Sequence, residues 1–104
     1  MEEHREGKII VHVDNDLADL IPGYLANRQK DIAAIQDALV KKDRETVRIL
    51  GHSMKGSGGG YGFETITDIG RLMEQAAKEG CDKDISLQVK RLEDYLRQIE
   101  IVYD

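Results

Sequence analysis

The chain has 104 residues, a formal net charge of −5, and only four tyrosines, one phenylalanine and no tryptophan among its aromatics. That length fits one domain with a core of Ile, Leu, Val, Ala and Met, and the acidic balance excludes nucleic acid as a main partner, because phosphate binding needs a dense basic surface. A single cysteine, Cys81, excludes an internal disulfide and fits a reducing compartment.

Residues 8–13, KIIVHV, are rich in β-branched side chains and read as an extended arm. The following DNDLADLI carries cap and turn residues and then room for one helical turn. Pro22 suits the first turn of a helix, where its missing N–H costs nothing. Leu25, Ile32, Ile35 and Leu39 then recur at helical spacing, with Arg28 as the one polar break. Asp43 reads as the N-cap of a second helix whose stripe is Val47, Leu50, Met54 and Tyr61, with Ser57 or Gly58 filling the gap. Thr65 and Asp68 have capping-box-like spacing ahead of a third stripe, Ile66, Ile69, Met73, Ala76 and Ala77, which Gly80 ends. Ile85, Val89, Leu92, Leu96 and Ile99 trace a fourth helix. Short connections make sequential helices antiparallel neighbours. The expected fold is therefore all-α: an antiparallel up-down-up-down four-helix bundle over 16–104, preceded by a short extended or helical N-terminal arm over 1–15. The charged start MEEHREGK leads into no apolar run long enough for a signal peptide, and IIV at 9–11 falls far short of a membrane span. A soluble, cytoplasmic protein with no membrane partner is expected.

One stretch does not fit a plain helix. In GHSMKGSGGGYG, residues 51–62, five glycines crowd behind one histidine and one lysine, and each glycine inside a helix costs about 1 kcal/mol relative to alanine. Projected at about 100° per residue, Leu50 and Met54 lie roughly 160° to either side of His52, so the histidine faces solvent. Glu45 and Gly59 fall within about 20° of it, Arg48 and Gly56 at about 40° and Lys55 at about 60°, while Gly58 turns toward neighbouring helices. The glycines strip bulk from around an outward imidazole and leave two cations beside it.

An exposed neutral imidazole offers one ring nitrogen as a nucleophile. No Ser or Cys partner and no spacing-matched acid accompanies it, so a hydrolytic triad has no support. Lys55 and Arg48 would stabilise an anion attached to that nitrogen, and Gly56 and Gly59 would let a second protein bring its reacting group close. These features describe a histidine that receives and hands over a phosphoryl group in a protein–protein complex. A Walker phosphate loop ends in Gly-Lys-Ser/Thr, but here the order is Lys55-Gly56-Ser57. No register of 51–62 yields G-x-G-x-x-G. Asp14 and Asp16 could open a calcium loop only with glycine where Asp19 stands, so they read as caps. His4 and His12 have no metal-type spacing and read as arm or surface residues. Cys81 reads as an exposed loop thiol.

His52, Lys55 three residues on, Gly56 four on, a small Ser57 five on and Gly62 ten on resemble the signature of histidine-containing phosphotransfer (HPt) domains of two-component phosphorelays. Gly51 replaces a frequent alanine before the histidine, and Phe63 stands where many members carry alanine. The resemblance, over roughly residues 16 to 102, implies a phosphocarrier rather than an ATP-dependent kinase or hydrolase. It implies that His52 accepts phosphate from an aspartyl phosphate on a response-regulator receiver domain and returns it to another. Lys55 would neutralise the phosphoryl group, and Arg48, Gly56, Gly59, Gly60 and Tyr61 would form the docking face. The receiver would supply Mg²⁺, so no cofactor or metal is expected on this chain; a hybrid histidine kinase is a further candidate partner. The alternative is a helical-bundle adaptor that docks receiver or kinase domains without phosphate chemistry.

Overall fold

A computed structural model describes residues 2–104. The chain opens with strands β1 (Glu2–Arg5) and β2 (Lys8–Val13), paired antiparallel with Arg5 opposite Lys8. Between them Glu6 and Gly7 have φ of 45° and 80°, the left-handed pair that a two-residue hairpin turn requires. β2 buries Ile9, Val11 and Val13 on one face and turns Ile10 and His12 to the other. A 3₁₀ turn (Asn15–Leu17), capped by the Asp14 carboxylate at 2.9 Å from the Asp16 N–H, leads into the helices. These are α1 (Ile21–Val40), α2 (Arg44–Ser57), α3 (Glu64–Glu79) and α4 (Asp82–Gln98). Strand β3 (Ile99–Tyr103) then lies parallel to β2, with Ile9 opposite Ile99 and Val13 opposite Tyr103. Parallel neighbours need a long crossover, and the four helices together supply it.

The all-α expectation therefore holds for the four helices but omits a three-stranded sheet ordered β1-β2-β3. The segment expected as an arm is extended over 8–13, yet it is paired on both edges and contributes Val11 and Val13 to the core; Met1 lies outside the described residues. Ile99, expected as the last apolar position of the fourth helix, instead begins β3 with φ −72° and ψ 141°. The run Ile99, Ile101, Val102, Tyr103 favours a pleated strand, and β2 offers its backbone as a partner.

The helical stripes are close to expectation. α1 buries Ile21, Tyr24, Ile32, Ile35 and Ala38, with Leu25 and Leu39 at the margin. Arg28, the polar break in that series, is buried: its guanidinium sits 4.4 Å from the Tyr24 ring centroid and donates to Ser57 Oγ at 3.3 Å. Its Nε lies 2.9 Å from Asp31 Oδ2, a largely buried ion pair one helical turn apart. Asp43 caps α2 as expected, accepting from the Thr46 N–H at 3.1 Å. Gly80 ends α3 in the left-handed region at φ +68°.

The start of α3 differs. Thr65 and Asp68 form no capping box; the Thr65 N–H and Oγ1 donate to the Glu2 carboxylate at 3.0 and 2.6 Å, and Asp68 pairs with Arg71 and Arg91. Glu2 also accepts from Tyr95 Oη at 2.9 Å. The hairpin thus caps a helix from another part of the chain.

Two glycines set the approach of α2 and α3. A Cβ on Gly51 would lie 2.7 Å from the Glu74 backbone nitrogen, and one on Gly70 would lie 2.7 Å from the Gly51 carbonyl oxygen. Both distances are well inside van der Waals contact, so the two backbones touch where only hydrogen fits. That approach brings α3 side chains up beside His52.

Candidate functional site

His52 stands on α2 with its side chain 65% exposed, while Met54 and Val47 on the same helix are fully buried. The inward stripe and the outward ring agree with the helical projection. What sequence alone did not bring to the ring is Glu74 of α3. Its carboxylate accepts from His52 Nδ1 at 3.0 Å through Oε2 and from Lys55 Nζ at 2.6 Å through Oε1. Lys78 Nζ approaches Oε2 at 3.9 Å. The Glu74 side chain is only 8% exposed, so the carboxylate is walled in by the helices and open chiefly toward these partners.

The Lys55 hydrogen bond, and after it the one from His52, holds the Glu74 carboxyl below the ordinary carboxylate range, against the opposing effect of burial. Glu74 is therefore ionised at neutral pH and can only accept. A neutral His52 beside it must carry its proton on Nδ1, which leaves the Nε2 lone pair unprotonated. Among the described residues Nε2 has no hydrogen-bond partner. The contact with Glu74 thus favours the Nδ1–H tautomer of a neutral ring and leaves Nε2 toward solvent.

The other expected site residues divide. Gly56 and Gly60 have open space where a Cβ would stand. Gly59 donates its N–H to Thr67 Oγ1 at 2.7 Å, and Gly58 faces α3, where a Cβ would meet the Thr67 nitrogen at 2.6 Å. α2 ends at Ser57, so the projection of a continuous helix through residue 62 does not apply to the later glycines. Gly59–Tyr61 form one 3₁₀ turn, and Gly62 closes it in the left-handed region at φ +96°. Tyr61 is half-buried and stacked on Tyr24 with ring centroids 4.4 Å apart. Arg48 is paired with Glu45 through its Nε at 3.0 Å, so only Lys55 of the two expected cations joins the histidine network.

Two residues near the ring escaped the sequence reading. Glu74 is separated from His52 by 22 positions; its signal was an acid four residues after Gly70, on the edge of the apolar stripe of α3. Ile49, one turn before His52, is 53% exposed and projects about 60° from the ring on the side away from Lys55. Among the described residues no group of three or more His, Cys, Asp or Glu side chains gathers to hold a metal ion, and no helix is long and apolar enough to cross a membrane.

The family model of the Hpt domain matches residues 19–101. The chain belongs to the Hpt domain family. The match spans α1 to α4 and reaches into β3, so β1 and β2 lie outside it. Comparison with curated proteins and comparison with solved structures each gave no match. Hpt domains serve phosphotransfer in two-component phosphorelays and interact there with receiver domains.

Proposed function

We propose that this Hpt domain is a phosphocarrier whose reacting atom is Nε2 of His52. The observation that carries the reading is the Glu74 carboxylate on Nδ1, which leaves an exposed, unprotonated nitrogen on the opposite side of the ring. A receiver domain with an aspartyl phosphate docks on the face formed by Arg48, Ile49, Gly56, Gly59 and Gly60, with Tyr61 at its border. The Nε2 lone pair attacks phosphorus, the P–O bond to the receiver's aspartate breaks, and its electron pair leaves with the regenerated carboxylate. Lys55 turns from Glu74 toward the new phosphoryl oxygens, where an ammonium opposes their charge.

The bare backbone at Gly56 and Gly60 supports close approach of the partner's loops. Mg²⁺ belongs to the receiver in this reading, and transfer is reversible. The connections at 41–43 and 80–81 support an up-down-up-down helix order over the unit 16–104, and a reducing cytoplasmic setting suits the lone thiol of Cys81.

The test is incubation with a phosphorylated receiver. Acid-labile label is expected on this protein and lost in His52→Gln. Label that survives this substitution refutes the assignment, and binding of the receiver without any label favours the adaptor reading.

A further inference from the structure

We infer that Glu74 is a positioning residue that keeps the phosphorylated ring protonated on Nδ1, so that the ring always leaves as a neutral imidazole when the phosphoryl group is passed on. The inference rests on the His52 phosphoacceptor reading and concerns how readily the group leaves once loaded. It starts from a balance of atoms. When Nε2 takes the phosphoryl group, the ring holds a P–Nε2 bond and an Nδ1–H and bears one positive charge. In onward transfer, a receiver carboxylate oxygen attacks phosphorus and the N–P electron pair returns to Nε2. The ring then leaves neutral, with Nδ1–H still in place, and no proton enters or departs in either direction. Should the loaded ring lose its Nδ1 proton first, the leaving group becomes an imidazolate anion, which is a far poorer one.

Whether that proton stays is decided by what faces it. From α3 the ring meets the Glu74 carboxylate at 3.0 Å, itself 3.9 Å from Lys78. From its own helix it has Lys55, which is bound to Glu74 at 2.6 Å, and Arg48, which is occupied by Glu45. Gly51 and Gly70 contribute only backbone to this contact. The anion therefore touches the ring directly, while each cation reaches it through an acid. An opposite charge at hydrogen-bond distance favours the protonated ring. Phosphorylation strengthens the effect, because Lys55 moves toward the phosphoryl oxygens and leaves more of the Glu74 charge to the ring.

Glu74→Gln separates charge from geometry. The amide oxygen still accepts from Nδ1–H and fills nearly the same space, but carries no charge. The protein is loaded with phosphoramidate, a chemical donor that needs no partner, and loss of the phosphoryl group is followed by ³¹P NMR at a series of pH values. Wild type is expected to lose phosphate at a rate that stays level from about pH 6 to 8, across the range where an ordinary imidazole titrates. The variant is expected to slow as pH rises and to be roughly tenfold or more slower at the alkaline end, since an opposite charge at this distance is worth about one unit or more. Superimposed profiles, with label on His52 in both proteins, overturn the inference and leave the phosphoacceptor reading standing. Absence of label on His52 in wild type overturns both. A measurement on wild type alone guards against a variant that misfolds: ¹⁵N NMR of the loaded protein is expected to show Nδ1 still protonated at the alkaline end, and an unprotonated Nδ1 there overturns the inference.

Discussion

Alanine at Gly70 is expected to weaken both the fold and the site, whereas alanine at Gly56 is expected to stabilise the fold. At Gly70 the new methyl would lie 2.7 Å from the Gly51 carbonyl oxygen and 2.8 Å from Met54 Cβ. Carbon atoms rest against one another at about 3.5–4.0 Å, so α2 and α3 must separate by something on the order of 1 Å. Overpacking costs about 1–3 kcal/mol; with backbone as well as Met54 Cβ closer than 3 Å to the new methyl, the upper part, about 2–3 kcal/mol, applies here, and replacing a mid-helix glycine returns about 1 kcal/mol. The net expectation is a loss of about 1–2 kcal/mol, or a fall in Tm of roughly 4–8 °C for each kcal/mol in a domain of this size. Gly56 has nothing within 4 Å of its Cβ position, so the same substitution there should gain about 0.5–1 kcal/mol. Urea titration of the two variants beside wild type measures the difference. Separation of the helices also draws Glu74 away from His52, so Gly70→Ala should take up phosphate more slowly than its residual stability explains. A Gly70→Ala protein as stable as wild type would refute the account of how α2 and α3 meet.

Glu2→Gln removes the charge that receives the Thr65 N–H, the Thr65 hydroxyl and the Tyr95 hydroxyl; a loss of about 1–2 kcal/mol is expected, checked by thermal unfolding, and an unchanged Tm removes the hairpin from the capping of α3. Acid should destabilise the protein. Glu74, held down mainly by Lys55, Asp82, held down mainly by Arg44, and Asp43, held down mainly by Thr46, all have carboxyls below their ordinary range in the folded chain. Their contribution is present above the ordinary carboxylate range and is lost as pH falls through the lowered folded values; a Tm that rises on acidification below neutral pH contradicts this. Asp31 works in the opposite sense, because burial raises its carboxyl despite Arg28. Lys55→Ala should slow phosphate transfer from a receiver while leaving the unfolding midpoint nearly unchanged, and unaltered transfer kinetics would remove Lys55 from the mechanism.

What was legible in the sequence was local. The period of Val47 and Met54, the cap at Asp43 and the stop at Gly80 each depend on residues within a few positions, and the structure has all of them. The outward direction of His52 followed from the same period. The sheet was not legible, because β2 finds its parallel partner across the whole helical bundle, and KIIVHV alone cannot say whether its edges are paired. The spacing of Ile99 from Leu92 and Leu96 fits a helix equally well; only the presence of β2 decides for a strand. Glu74 was missed for a related reason. Its place beside the ring depends on Gly51 and Gly70 meeting across two helices, and such a contact leaves no periodic trace. Gly51 read as a small-for-small exchange, whereas the packing leaves no room there for a methyl group.

The most direct test is to locate the phosphorus atom on the loaded protein. Histidine labelled with ¹⁵N, followed by ³¹P–¹⁵N coupling after transfer from a phosphorylated receiver, is expected to show the bond at Nε2 of His52 while Nδ1 retains its proton. Phosphorus on Nδ1, on another histidine or on a carboxylate would contradict the claim that Glu74 turns the reactive nitrogen outward.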